Sequence, residues 1–126
     1  MKNFYRKTEL GRIGERLAAE YLVKQGIQIL EQNWRHRHKE IDIIGQDERF
    51  LIIAEVKARA DIFLEAPGEM VDKTKQNYLI RAADAYIQQR GIDKEVRFDL
   101  LIIVFEDGDL QRYHLEHIPD AFLPEP

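Results

Sequence analysis

Glu55 and Lys57 follow directly on four apolar residues, Leu51-Ile52-Ile53-Ala54, and this placement carries the main chemical signal of the sequence. Side chains alternate faces along a strand, so Glu55 and Lys57 project to one side while Ala54 and Val56 project to the other, toward a covering helix. On the preceding apolar stretch Glu40 and Asp42 are expected to share one face, with Ile41 and Ile43 on the opposite one. If Gln46–Arg49 closes the hairpin with Gln46 facing Arg49, Asp42 lies across from Ile53 and diagonal to Glu55; a loop two residues longer sets Asp42 directly opposite Glu55. A slip of one residue would put the two acids on opposite faces.

Carboxylates gathered at one strand end repel each other unless a proton or a cation compensates. An all-oxygen donor set without cysteine favours Mg²⁺, with Mn²⁺ as a substitute, and the expected chemistry is metal-dependent hydrolysis. Asp42, Glu55 and Lys57 are the catalytic candidates, Lys57 orienting water or stabilising charge on a phosphate. Taken singly, each acid has an ordinary alternative as a solvated strand-edge charge, with Glu55 paired to Lys57 or Arg59. Their common position at the end of a central strand sets them apart, because sheet proteins commonly place sites there.

The elements that must hold these residues are legible from periodicity. Leu10, Ile13, Leu17, Ala18, Tyr21 and Leu22 recur at helical spacing and predict a helix over Glu9–Gln25, with Thr8 as N-cap and Gly26 as its stop. Strands are predicted at Ile27–Trp34, Glu40–Gly45, Phe50–Ala58, Val96–Phe105 and Leu110–Glu116, the last two joined by an Asp107-Gly108 turn. The unbroken apolar runs Leu51–Ala54 and Leu100–Val104 suit strands covered on both faces, at the sheet centre. A second helix is predicted over Asp72–Arg90, closed by Gly91. Arg59–Met70, with a turn at Ala66-Pro67-Gly68, is the one long irregular connection, and the proline-bearing stretch 118–126 reads as a C-terminal surface extension.

A chain of 126 residues suits one domain. With 44% hydrophobic and 33% charged residues it is globular in composition. No apolar run nears the roughly 20 residues that cross a bilayer, and no signal-peptide segment follows Met1, so the expectation is a cytoplasmic protein with no membrane partner. The absence of cysteine excludes disulfides, thiolate zinc sites and a Cys nucleophile. A net charge of −4 argues against nonspecific coating of nucleic acid. The distribution is uneven, however: residues 1–60 carry 12 Lys and Arg against 9 acids, and residues 61–126 carry 7 against 14. The basic half is also the half with the candidate chemistry.

Several motifs together have a familiar pattern: Gly11-x-x-Gly14-Glu15-x-x-Ala18-x-x-Tyr21-Leu22, Ile29-Leu30-x-x-Asn33-x-Arg35, Glu40-Ile41-Asp42-Ile43-Ile44 and Ala54-Glu55-Val56-Lys57-x-Arg59. With Arg97-Phe98-Asp99 and Asp120-Ala121-Phe122, they resemble the bacterial YraN-like family of predicted endonucleases over almost the whole chain. That family looks related to the PD-(D/E)XK nucleases, particularly those of the Holliday junction resolvase type. The resemblance implies an α/β, restriction-endonuclease-like core, a mixed five-stranded sheet flanked by helices in the order α-β-β-β-α-β-β. It also implies Asp42 and Glu55 as the two motif acids, Lys57 as the motif lysine, the Val56 carbonyl as a further metal ligand and Glu15 as an extra carboxylate on the metal. Three positions depart from the pattern: Ile41 stands in place of proline, Lys39 of glycine and Ala58 of threonine.

The dense basic run Arg35-His36-Arg37-His38-Lys39 is expected to contact phosphates, with Trp34 in the core, and Arg59, Lys73 and Lys75 are further nucleic-acid contacts. Glu40 and Gln76 flank the site as secondary candidates. Gly11-x-x-Gly14 at a helix start reads as close packing, and His114-x-x-His117 lacks the further ligands of a zinc site. The leading expectation is a Mg²⁺-dependent endonuclease acting on DNA, including branched or structured DNA. The alternative is a non-catalytic nucleic-acid-binding module that keeps the nuclease fold. A homodimer would suit a two-fold symmetric junction.

Overall fold

The stripe running from Leu10 to Leu22 forms helix α1, Lys7–Lys24, in the computed structural model, which describes residues 7–60, 69–107 and 109–122. Thr8 lies within this helix, so the expected cap position is already a helical residue. The stop stands as expected: Gly26 takes φ 89°, its N–H donates to the Val23 carbonyl, and that of Ile27 to the Leu22 carbonyl. Five strands follow at Gln28–His36 (β1), Lys39–Gln46 (β2), Phe50–Arg59 (β3), Glu95–Glu106 (β4) and Asp109–Ile118 (β5), with helix α2, Lys73–Arg90, between β3 and β4. The order α-β-β-β-α-β-β is the expected one. Asp72 caps α2 by accepting the Lys75 N–H at 2.8 Å, and Gly91 ends the helix at φ 61°.

The strands form one mixed sheet in the order β1-β2-β3-β4-β5. Only the β3–β4 pair is parallel, as the α2 crossover between the two strands requires. The apolar runs of β3 and β4 lie side by side at the centre and are buried on both faces. Leu51, Ile53, Leu100 and Ile102 pack under Leu79, Ala82, Ala83 and Tyr86 of α2. On the other face Ile52, Ala54, Leu101 and Ile103 pack under Leu10, Ala18 and Leu22 of α1. Burial of both faces is what makes an uninterrupted run of Ile, Leu and Val the favoured strand composition here. A Cβ on Gly14 would stand 2.8 Å from the Ala58 Cβ, so this glycine lets α1 press onto the end of β3.

Of the two hairpin registers that the sequence allows, the longer-looped one forms, and one expectation about the faces of β2 is corrected. The β2–β3 hairpin pairs Gln46 with Leu51, not with Arg49, and the loop is two residues longer than the shorter register allowed. Asp47 supports it by accepting the backbone N–H groups of Arg49 and Phe50 at 2.9 and 2.7 Å. Ile41 and Ile43 do not share a face: Ile43 belongs to the core under α1 and Ile41 to the core under α2. Their β1 partners are Trp34 and Gln32, and the intervening Asn33 holds φ 51°. A left-handed residue inside a strand breaks the pleat, so the paired ladder turns over at Asn33 and Asp42.

At its tip the β1–β2 hairpin is tight. His36 pairs with Lys39 around the turn residues Arg37 and His38, so the basic run is a hairpin end and not a separate loop. Trp34 is half-buried against the α2-side core, stacked on His36 and edge-on to Tyr86. The Ala66-Pro67-Gly68 turn lies outside the described residues, as does Gly108 of the last hairpin, although Glu106 and Asp109 pair across it. After β5 the chain stays on the sheet: the Ala121 N–H donates to the Phe98 carbonyl at 2.7 Å and Phe122 stacks on Phe98. No helix among the described residues is long and apolar enough to cross a membrane.

Candidate active site

The hairpin register decides whether the acids meet. The β2–β3 ladder pairs Gly45 with Ile52, Ile44 with Ile53 and Ile43 with Ala54, and continuing it by one step sets Asp42 opposite Glu55. Beyond Ile43 the strands part. The next β3 amide, that of Val56, donates to Asp42 Oδ2 at 2.8 Å in place of a ladder carbonyl. The Asp42 carboxyl therefore fills the gap where the two strands separate, beside a carboxylate on the neighbouring strand.

Glu55 is buried, with 4% of its surface exposed. Two ammonium groups reach the same oxygen: Lys57 Nζ lies 3.6 Å and Lys75 Nζ 3.5 Å from Oε2. The other oxygen, Oε1, is buried and accepts from no N–H or hydroxyl group, the only buried side-chain N or O atom among the described residues so placed. Leaving a carboxylate oxygen so placed costs free energy that a cation or a proton would recover.

Asp42 is pushed up to about 9, first by burial and then by the charge of Glu55 and a hydrogen bond shared with it; the charge of Glu15 acts in the same direction and the Val56 amide opposes. The pair thus holds a proton at neutral pH. A divalent cation is the alternative to that proton. The donors suit a hard cation, because Mg²⁺ is commonly held by one or two carboxylates and completes its shell with water and substrate oxygens.

The remaining candidates are distributed around this pair. Glu15 is near enough to act electrostatically on Asp42, but its Oε2 accepts from Asn33 Nδ2 at 3.0 Å. Among the described residues no group of three or more His, Asp or Glu side chains is arranged to hold a metal ion. Gln76 Nε2 donates to the Val71 carbonyl and steadies the start of α2. Arg35 pairs with Glu40 at 3.6 Å on the surface, and Arg59 donates to the Ala58 carbonyl. Lys73 opens α2 and is exposed; Arg37 occupies the hairpin turn at φ 61°. Lys39 and Lys75 each lie 5.5 Å from the centre of the Tyr78 ring.

Residues that sequence reasoning passed over lie on the α1 side. A surface hollow of about 290 Å³ is lined by Arg12, Ile13, Glu15, Arg16, Gln32 and Asn33, and it shares Glu15 and Asn33 with the margin of the site. Asparagine is uncommon inside strands, and Asn33 in β1 was the one available signal for the break that aligns this margin. His114 and His117 serve different partners, Glu106 and Asp99.

A mixed sheet covered by a helix on each face, with an acid pair where two of its strands part, defines the structural class. The model of the uncharacterised protein family UPF0102 matches residues 14–103, and the chain belongs to that family, the YraN-like one its motifs resemble. A UPF0102 protein of Bacteroides thetaiotaomicron is 41% identical over 116 residues, covering 92% of this chain and 93% of its own. One from Parabacteroides distasonis is 41% identical over 117 residues, covering 93% and 94%. A third, from Chlorobium chlorochromatii, is 43% identical over 120 residues, covering 93% of each.

Proposed function

We propose that this protein is a metal-dependent endonuclease that hydrolyses phosphodiester bonds in DNA, with branched or structured DNA as the preferred class. The observation that carries the reading is the Asp42–Glu55 pair, two carboxyl groups set side by side on neighbouring strands, with Glu55 Oε1 buried and accepting from no N–H or hydroxyl group. Asp42 and Glu55 would hold Mg²⁺ or Mn²⁺, with the Val56 carbonyl as a further donor; Glu15 would join them only by turning from Asn33 Nδ2. When bound, the cation supplies Lewis-acid polarisation of the scissile phosphate and activation of a water.

The chain's own residues do the rest. Lys57, fixed on the face of Glu55 by strand alternation, places an ammonium where negative charge builds on the phosphate. The Val56 amide holds one Asp42 oxygen in position. Arg37 and Lys39 at the hairpin tip, together with Arg35, Arg59 and Lys73, supply a basic margin for the phosphate backbone, which needs charge and not sequence readout.

The test is cleavage of branched, flapped, single-stranded and duplex DNA by wild type and Glu55→Ala in Mg²⁺ or Mn²⁺. Wild type is expected to cut, and Glu55→Ala to lose at least about 100-fold in rate. Undiminished cutting by Glu55→Ala would sink the assignment of the centre. If wild type binds no divalent ion and its DNA affinity ignores Glu55→Ala, the protein is instead a non-catalytic nucleic-acid-binding module.

A further inference from the structure

Glu55 carries more positive charge than one carboxylate needs. Lys57 already balances it at 3.6 Å, from two positions along the same strand. Lys75 comes from a different element, the first turn of α2, and places a second ammonium 3.5 Å from the same Oε2. Its backbone is held by the Asp72 cap, while its side chain is 28% exposed and sets the ammonium 5.5 Å from the centre of the Tyr78 ring, which Lys39 of the hairpin also approaches to 5.5 Å. With a divalent cation on the acids, two lysines on one oxygen leave a local surplus of positive charge. A phosphate oxygen is the natural counter-charge for it.

We infer that Lys75 is a second substrate-facing cation of this site, resting on Glu55 Oε2 as a counter-ion and turning to a phosphate oxygen of the nucleic acid once a divalent cation occupies the acid pair. The inference rests on the proposed metal-dependent reading. Lys57 shares its strand with Glu55 and is the lysine already assigned to the reacting phosphate, so Lys75 is the additional cation, brought from a different element. Lys75 sits on a helix and can leave the carboxylate by rotating its own side chain, and Lys39, near the same Tyr78 ring, extends the phosphate-binding margin toward the hairpin tip.

A counter-ion that competes with the metal and then serves the substrate has a distinctive signature in variants. Removing it should strengthen metal binding and weaken catalysis, whereas loss of a residue that only props Glu55 would weaken both. The experiment is Mn²⁺ titration calorimetry and steady-state DNA cleavage on the full chain, comparing wild type, Lys75→Met and Lys75→Arg. Lys75→Met keeps the aliphatic stem and removes the charge. It is expected to bind Mn²⁺ roughly three- to tenfold more tightly and to lose about tenfold or more in kcat at saturating Mn²⁺. Lys75→Arg keeps the charge and is expected to stay nearer wild type in both measurements.

Mn²⁺ affinity unchanged or weakened in Lys75→Met, or kcat unchanged, overturns the role of Lys75 while leaving the acid pair in place. Failure of wild type to bind Mn²⁺ overturns the reading of the pair itself, and this role with it.

Discussion

Asp42, half-buried beside Glu55, holds its proton far more tightly than a surface carboxylate does. Its pKa, raised from 3.8 to about 9 by burial and by Glu55, means that the folded chain binds a proton that the unfolded chain has released over that range. More protons on the folded state make stability fall as pH rises. The contribution is complete below pH 3.8, is lost progressively as pH climbs, and is gone above about 9. In chelator, urea unfolding at several values across this range should therefore show a stability decline in wild type that is much flatter in Asp42→Asn. An equal decline in both proteins would mean that Asp42 is not the group responsible. Glu55 and Lys57 were readable on one face from strand alternation alone, since that depends only on their spacing. The Asp42 partner was not, because a hairpin register that differs by two residues changes a diagonal contact into a direct one.

At the scale of elements, the site depends on how closely α1 approaches β3. The backbone of Gly14 faces Ala58, one residue beyond Lys57, and leaves no room for a methyl group, since the added Cβ would meet the Ala58 Cβ at 2.8 Å. Gly14→Ala is expected to lift the helix and to cost about 1–3 kcal/mol, measured as a shift in urea midpoint at unchanged slope. Glu15 rides on the same turn, so the contact between Glu15 Oε2 and Asn33 should loosen with it. Gly11, with open space around it, should accept alanine without that penalty. The helix itself was legible from its apolar spacing, whereas the distinction between the two glycines needed the sheet beneath them. The turnover of β2 was hidden for a similar reason: alternation predicts faces only while the pleat is unbroken, and Asn33 breaks it.

At the scale of the whole molecule, a second buried acid holds the far side of the sheet together. Asp99 accepts two bonds from Arg97 at 2.9 Å, one from His117 at 2.7 Å and the Asp120 amide at 3.1 Å, tying β4, β5 and the segment after β5 to one carboxylate. Burial alone would raise its pKa, but the His117, Arg97 and Asp120 hydrogen bonds prevail and hold it below the ordinary 3.8. Its contribution is present above pH 3.8 and is lost as pH falls through the lowered value, opposite in sign to that of Asp42. Asp99→Ala, which leaves Arg97 without its partner, should cost about 3–5 kcal/mol by urea unfolding at neutral pH. A loss below about 1 kcal/mol would show the network to be dispensable. Asp99 and Asp120 were visible beforehand only as motif residues, because nothing local relates two positions brought together by sheet pairing.

The order of the elements, the identity of the central strands and the common face of Glu55 and Lys57 are all written in the chain's local pattern. These follow from local periodicity and from the burial that an unbroken apolar run demands. Folding brings Asp42 opposite Glu55, Lys75 onto the same carboxylate oxygen as Lys57, and Glu15 against Asn33 at the margin. Each of those contacts joins residues on different elements. Their geometry is set by a hairpin register, a left-handed residue and a helix-to-sheet distance, which are properties of the assembled fold.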